Sequence, residues 1–536
     1  MKKLYIVDIK KKQKNFDFIE KIDTNESIIL SLSPYSSYIL DLHNISYITF
    51  HNIISGDDFK SLVFQEYEQL NLVFQKYQRY SYLMFFLSQL INYEIYLNIL
   101  FKYVDNFIST YYITDTNALS SISSLFSNIE SGVYLYDSLI TIKVESKDHI
   151  FYLKEKVKLN ISNFNIKKNK FRFLLNKLWK QNISFHYDNQ DVIHFLNNIP
   201  PAKIVTQNID IKYDELSNLL KKEFSNYRLS KYFIILIDNL GYDLQQAKKT
   251  NFIKIKLFTY LANNKDFICT LIFKDNGIPV IFTQHGSYLY KDLFLQQMEV
   301  LPADLNVVLN KQTDLYFSTL KSNKTKIIYS NYFNKKAKAE IIKYDYIYII
   351  NAGEYAGNGE FLYLQTKKIS MDGNLLFSQH IYILNLFGIK FANLKFVIKL
   401  HPSIILSGLY VPFFEIAKKY KNIKLEIAEP IHSLIEKSEH IISDYFTSEF
   451  LNRNVFKKKI ILINTPTTPI PEEELENMKK LFILVEDLEE IANKIKNIDK
   501  YEVCKDDELI DYYSSPKDGQ DIVEFAKKIF ISYNKK

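Results

Sequence analysis

The second half of the chain constrains the fold most. Between Tyr344 and Ile463, short apolar runs alternate with longer segments whose apolar residues recur at helical spacing. The runs are 344–350, 395–400, 423–427, 440–443 and 459–463. Helices are expected between them over 374–387, 409–420, 431–437 and 448–452, with Gly388 terminating the first. Near-continuous apolar strands separated by helices read as a parallel sheet covered on both faces, because parallel neighbours need a crossover connection. The order predicts a Rossmann-like α/β unit with right-handed crossovers.

The first half is less regular. Strands are expected at 3–9, 27–32, 46–50 and 110–114, and a hairpin over 132–144. The stretch 59–103, free of Gly and Pro, should form a helical insertion. Further on, strands are expected at 233–237, 268–273, 278–283, 305–309 and 326–330, with helices over 251–263 and 312–320. The expected domains are an N-terminal Rossmann-like unit over 1–335, a C-terminal one over 340–510, and a terminal helix from residue 518 that crosses back onto the first. The predicted fold class is α/β with parallel sheets facing a central cleft.

Charge narrows the partners. Lys and Arg number 68 against 61 acids, a net +7 that is mild for 536 residues, so nucleic acid is not an expected partner. The exception is Lys154–Lys180, where nine basic residues face the single acid Glu155 and interleave with Phe171, Leu174, Leu178 and Trp179. This reads as a solvated amphipathic helix or as a patch for an anionic membrane surface. Cys269 and Cys504 match no metal or redox spacing, which fits a reducing cytoplasm. The apolar stretch 82–101 carries Gln89, Asn92, Glu94 and Asn98 and reads as a buried helix. No metal site and no cofactor is expected.

The chemistry collects where the expected strands end. The strand at 278–283 runs into Gln284-His285-Gly286-Ser287. The one at 395–400 carries Lys399 and ends in His401-Pro402, and the one at 440–443 runs into Ser443-Asp444-Tyr445-Phe446-Thr447-Ser448-Glu449. In open α/β sheets ligands bind at the carboxyl edge. Thr447 and Ser448 would cap a helix whose free amides favour an anion. Gly353, in a glycine-rich turn after the strand at 344–350, would let backbone approach a phosphate. Lys399 and His401 share a strand face and would reach one phosphate, while His285 is placed as a general base. The other histidines, His380 among them, fit no constellation and are expected at the surface or in the core.

Taken together, QHGS, KLHPS and SDYFTSEF followed by KKIILI resemble the GT-B fold glycosyltransferases of the CDP-glycerol glycerophosphotransferase and bacterial surface-polysaccharide group, which includes sialyltransferase-like capsule enzymes. The resemblance implies a metal-independent transferase moving a sugar or sugar-like unit from a nucleotide-activated donor to a glycan or lipid-linked acceptor. The donor would be CMP- or CDP-linked, with UDP as the other option. The enzyme would be cytoplasmic and peripheral on the membrane. It further implies that His285 is catalytic and that His401, Ser443, Thr447 and Ser448 bind donor; Lys399, Pro402, Glu449 and Gly353 are expected beside them at the donor, and Gly286 and Ser287 at the acceptor. Gln284 stands where that group carries Trp, which favours a sugar transferase over a glycerophosphotransferase. The other readings are a nucleotide-sugar 2-epimerase of the same fold and a non-catalytic glycan- or membrane-binding scaffold.

Overall fold

The computed structural model describes residues 3–8, 22–77, 83–107, 109–114, 133–136, 139–144, 202–203, 210–227, 280–284, 303–320, 326–329, 341–350, 373–401, 410–465 and 470–515, with isolated residues at 19, 230–241, 252–258, 270–274 and 404. The protein is α/β and carries three sheets dominated by parallel strands.

The first sheet joins β1 (Lys3–Asp8), β2 (Ser27–Ser31), β3 (Ile48–Thr49), β4 (Ser109–Thr114), β5 (Val133–Tyr136) and β6 (Leu139–Val144) in the order β3-β2-β1-β4-β6-β5. Its first four strands are parallel, and β5–β6 is the predicted hairpin, antiparallel to β4. Between β2 and β3 runs α1 (Pro34–Leu42). Its start follows from local chemistry: Ser33 Oγ accepts from Ser36 N at 3.2 Å, and Pro34 supplies the fixed φ of a first helical residue. The helical insertion is α2 (Gly56–Gln75) and α3 (Leu83–Val104).

A small ribbon pairs β7 (Ala202–Lys203) with β8 (Phe252–Ile253), and α4 (Asp210–Glu223) lies between them in sequence. The middle sheet is fully parallel. It orders β9 (Leu257–Phe258), β10 (Ile281–Thr283), β11 (Leu305–Val308) and β12 (Lys326–Tyr329) consecutively, with α5 (Lys311–Leu320) after β11. The half expected to hold one Rossmann-like sheet therefore holds two among the described residues.

The third sheet comprises β13 (Tyr344–Ile350), β14 (Phe396–Leu400), β15 (Ile423–Glu426), β16 (Ser438–Ser443), β17 (Ile460–Ile463) and β18 (Ile483–Val485). It is parallel throughout, in the order β15-β14-β13-β16-β17-β18. Numbered from its own first strand this is 3-2-1-4-5-6, the Rossmann order, whose direction reverses between strands 1 and 4. Its helices are α6 (Gly373–Lys390), α7 (Tyr410–Lys419), α8 (Ile431–Glu436), α9 (Glu472–Leu481), α10 (Glu490–Lys496) and α11 (Asp507–Tyr513). The strands are apolar on both faces because helices cover both. One cluster holds Tyr348, Ile398 and Ile461, and another Ile347, Val397 and Leu462.

The first of these clusters continues into the first sheet, where Tyr5, Val7, Ile29, Tyr35 and Ile39 belong to the same core. The seam between the two sheets is α1 against α6. Tyr38 packs edge-on to Phe377 at 6.3 Å between ring centroids, and Asn374 Nδ2 donates to Ser31 O at 3.2 Å.

Several expectations are corrected. The expected strand at 233–237 is helical at Phe233, Ile234 and Ile237, and the one at 268–273 is helical at Thr270 and Leu271. The expected helix at 251–263 instead carries β8 and β9. Phe233 and Ile237 are both buried, four apart on one helical face, so the apolar run served a helix. Gly388 does not terminate α6 but lies inside it, where an added Cβ would stand 2.2 Å from the Tyr420 ring. Ser448–Leu451 is a single 3₁₀ turn, too short to build an appreciable dipole. The segment Lys154–Lys180 and the expected terminal helix lie outside the described residues.

Candidate functional site

The reversal of strand order in the third sheet lies between β13 and β16, so the segment leaving β16 enters the crevice that this architecture opens for ligands. That segment begins with Ser443. Its hydroxyl, fully buried, donates to Tyr445 O at 2.8 Å and folds the chain back on itself. Thr447 Oγ1 accepts from Glu449 N at 3.4 Å and caps the 3₁₀ turn. Ser448 and Glu449 stand half-exposed at its start, with Phe450 and Leu451 buried behind them. The expected cradle is thus a tight, self-bonded turn, in which Ser448 and Glu449 face outward and Ser443 and Thr447 hold the shape.

Beneath it sits a pair that sequence reasoning missed. His380 Nε2 on α6 meets Asp444 Oδ2, and both side chains are 0% exposed. The His380 ring also packs against Tyr348 of β13 at 6.2 Å and Phe413 of α7 at 6.4 Å. One residue earlier, Gln379 Oε1 accepts from Thr465 Oγ1 at 2.9 Å, just beyond β17. The helix that follows β13 therefore grips the carboxyl ends of β16 and β17 through adjacent polar residues. The available signal was a Gln-His pair in a mainly apolar helix, Leu376 to Phe387.

The β14 end is divided. His401 is exposed at the sheet edge, where its carbonyl accepts from Ile404 N at 3.0 Å. Lys399 does not join it. Its Nζ donates to Ile427 O at 2.8 Å and Glu429 O at 2.7 Å, fastening the β15–α8 loop, and burial pulls its pKa below the ordinary value. Next along the loop, Glu429 pairs with Lys437, which with Ser433 lowers its own pKa.

On the middle sheet, β10 ends at Thr283 and Gln284. Gln284 is 2% exposed. Its backbone N donates to Val307 O at 2.9 Å, and its Oε1 accepts from Leu309 N at 2.7 Å. The residue that departs from the resemblance is thus a strand lock between β10 and β11. His285, Gly286, Ser287, Gly353 and Pro402 lie outside the described residues. Among the described residues no group of His, Cys, Asp and Glu is arranged to hold a metal ion, and no helix is long and apolar enough to cross a membrane.

No protein family and no curated protein matches the sequence. Among solved structures, the chain is similar to the UDP complex of S. aureus MnaA at 13% identity and a TM-score of 0.32, over 68% of this chain and 93% of that one. A Methanocaldococcus jannaschii UDP-GlcNAc 2-epimerase, in complex with UDP-GlcNAc and UDP, gives 11% identity and a TM-score of 0.36, over 68% and 96%. TarM gives 12% and 0.25, over 47% of each chain. TM-scores this low carry no argument about activity, which rests on the strand order and the residues at its reversal.

Proposed function

We propose that the protein is a GT-B-type glycosyltransferase of surface-glycan synthesis that takes a nucleotide-activated sugar at the carboxyl edge of the third sheet. The observation that supports this reading most is the placement of Ser443–Glu449 at the β13/β16 reversal of a 3-2-1-4-5-6 parallel sheet. A sugar nucleotide is the coarse class, and a cytidine nucleotide, which the sequence resemblance implies, is the finer proposal.

In this reading the leaving phosphate lies against the half-exposed Ser448 hydroxyl, with His401 entering from β14. Charge developing on the leaving group meets fixed donors rather than mobile water. Lys399 keeps the β15–α8 loop in place and does not touch the donor. His285, which follows β10 in the sequence, takes the acceptor proton, and Gly353 contributes to donor binding. A glycan or lipid-linked acceptor approaches from the middle-sheet side.

Calorimetric titration of the full chain with CMP, CDP, UDP and GDP tests the reading. CMP or CDP is expected to bind best, and His401→Ala and Ser448→Ala each to weaken binding by about 1–3 kcal/mol, the range for a charge-assisted hydrogen bond. His285→Ala should leave that binding intact and abolish transfer. Binding of none of the four nucleotides overturns the donor site, whereas a preference for UDP overturns only the cytidine assignment.

A further inference from the structure

The carboxyl ends of the middle and third sheets are tied through one buried amide. Asn310 follows β11 and is 0% exposed. Its Oδ1 accepts from Thr313 N at 3.1 Å and caps α5. Its Nδ2 donates to Tyr513 O at 2.9 Å, joining residues 203 apart in the chain.

Tyr513 in turn belongs to the surroundings of the Ser443–Leu451 segment. Its ring lies edge-on to Phe446 at 5.7 Å. Its hydroxyl donates to Glu474 and accepts from Asn477 Nδ2 at 3.1 Å, so the ring is held from α9. Two residues later, Ser515 N donates to Leu451 O at 2.8 Å. On the opposite side, the Gln284 lock joins β10 to the end of β11. A buried path of hydrogen bonds and ring contacts thus runs from the end of β10, through Asn310 and Tyr513, to Phe446 and Leu451.

We infer that Asn310 is a positioning residue for transfer: through Tyr513 it registers the carboxyl edge of the middle sheet against the turn of the third sheet. The inference rests on reading that turn as the donor site. The residue type fits the task. An amide both accepts the helix-capping N–H and donates onward to the carbonyl. Aspartate would keep the cap and lose the donor, and serine would keep the cap and fall short of Tyr513. With both partners buried, losing the donor leaves a carbonyl without compensation and weakens the registration.

Hydrogen exchange of the full chain, with and without CMP, CDP or UDP, reads the coupling segment by segment. In the natural protein a bound nucleotide is expected to slow exchange at 443–451 and also at 305–310. In Asn310→Asp and Asn310→Ser, the 443–451 protection should persist while the nucleotide-dependent slowing at 305–310 falls by about tenfold, a scale well within the spread of local opening. Asn310→Ser buries no charge and guards against an unfolded Asn310→Asp. Undiminished slowing at 305–310 in the folded variants overturns the inference. So does an acceleration there that is equal with and without nucleotide, since that is a purely structural bond. Absence of protection at 443–451 in the natural protein, with every nucleotide, overturns the donor reading and the inference with it.

Discussion

His380 and Asp444 meet with no access to water, and that isolation sets what the pair contributes. A buried ion pair or charged hydrogen bond adds little over a well-packed apolar pair, but removing one partner strands the other in a low-dielectric core. His380→Ala is therefore expected to lower the unfolding free energy by about 3–5 kcal/mol, measured by urea denaturation. A loss below about 1 kcal/mol would mean that water reaches Asp444. The residues of this edge were only partly legible. Ser443, Thr447 and Ser448 could be placed at a strand end because hydroxyls after an apolar run announce a turn. The partner of Asp444 could not, because it lies 64 residues away on a helix whose register only tertiary packing fixes.

At the scale of elements, Gly388 shows how packing overrides local preference. Ala inside a helix is worth about 1 kcal/mol over Gly, which argues for stabilisation on substitution. Against this, the new Cβ would stand 2.2 Å from a ring whose hydroxyl is tied to Asn385 Oδ1 at 3.2 Å, so the ring cannot swing aside freely. Overpacking typically costs about 1–3 kcal/mol and wins, so Gly388→Ala should lower the melting temperature, and Tyr420→Ala in the same chain should recover part of the loss. The elements of the third sheet were legible because long helices and buried strands alternate there with clear periodicity. Those at 233–273 were inverted because a five-residue apolar run such as 233–237 fits a buried strand and one face of a helix equally well. Burial at positions four apart decided for the helix, while Phe252-Ile253 and Leu257-Phe258 belong to strands.

Across the whole molecule, the seam between the first and third sheets carries a pH dependence. Tyr38 and Tyr47 both have pKa values raised from 10.0 to about 12, chiefly by burial. Tyr38 OH donates to Glu415 at 3.4 Å and Tyr47 OH to Asp41 at 3.2 Å, and each carboxylate further opposes a phenolate. With the folded pKa above the unfolded one, the folded state holds more protons between pH 10 and about 12, so stability falls as pH rises through that window. The part of the phenolate absorbance that Tyr38→Phe removes should accordingly rise late, near the pH at which structure is lost. Formation of that part at the ordinary pKa in the folded protein would contradict the buried seam.

The same seam has a consequence for how the chain is made. Ser31 waits for Asn374, 343 residues later, and Tyr38 for Glu415, 377 residues later. On the ribosome β2 and α1 emerge long before their packing partners, since their apolar faces are completed by α6 and its neighbours. Long-range closure of this kind is slow and leaves hydrophobic surface exposed meanwhile. A gene fragment ending near residue 340 should therefore yield an aggregating product rather than an independent lobe, measured by its recovery in the soluble fraction.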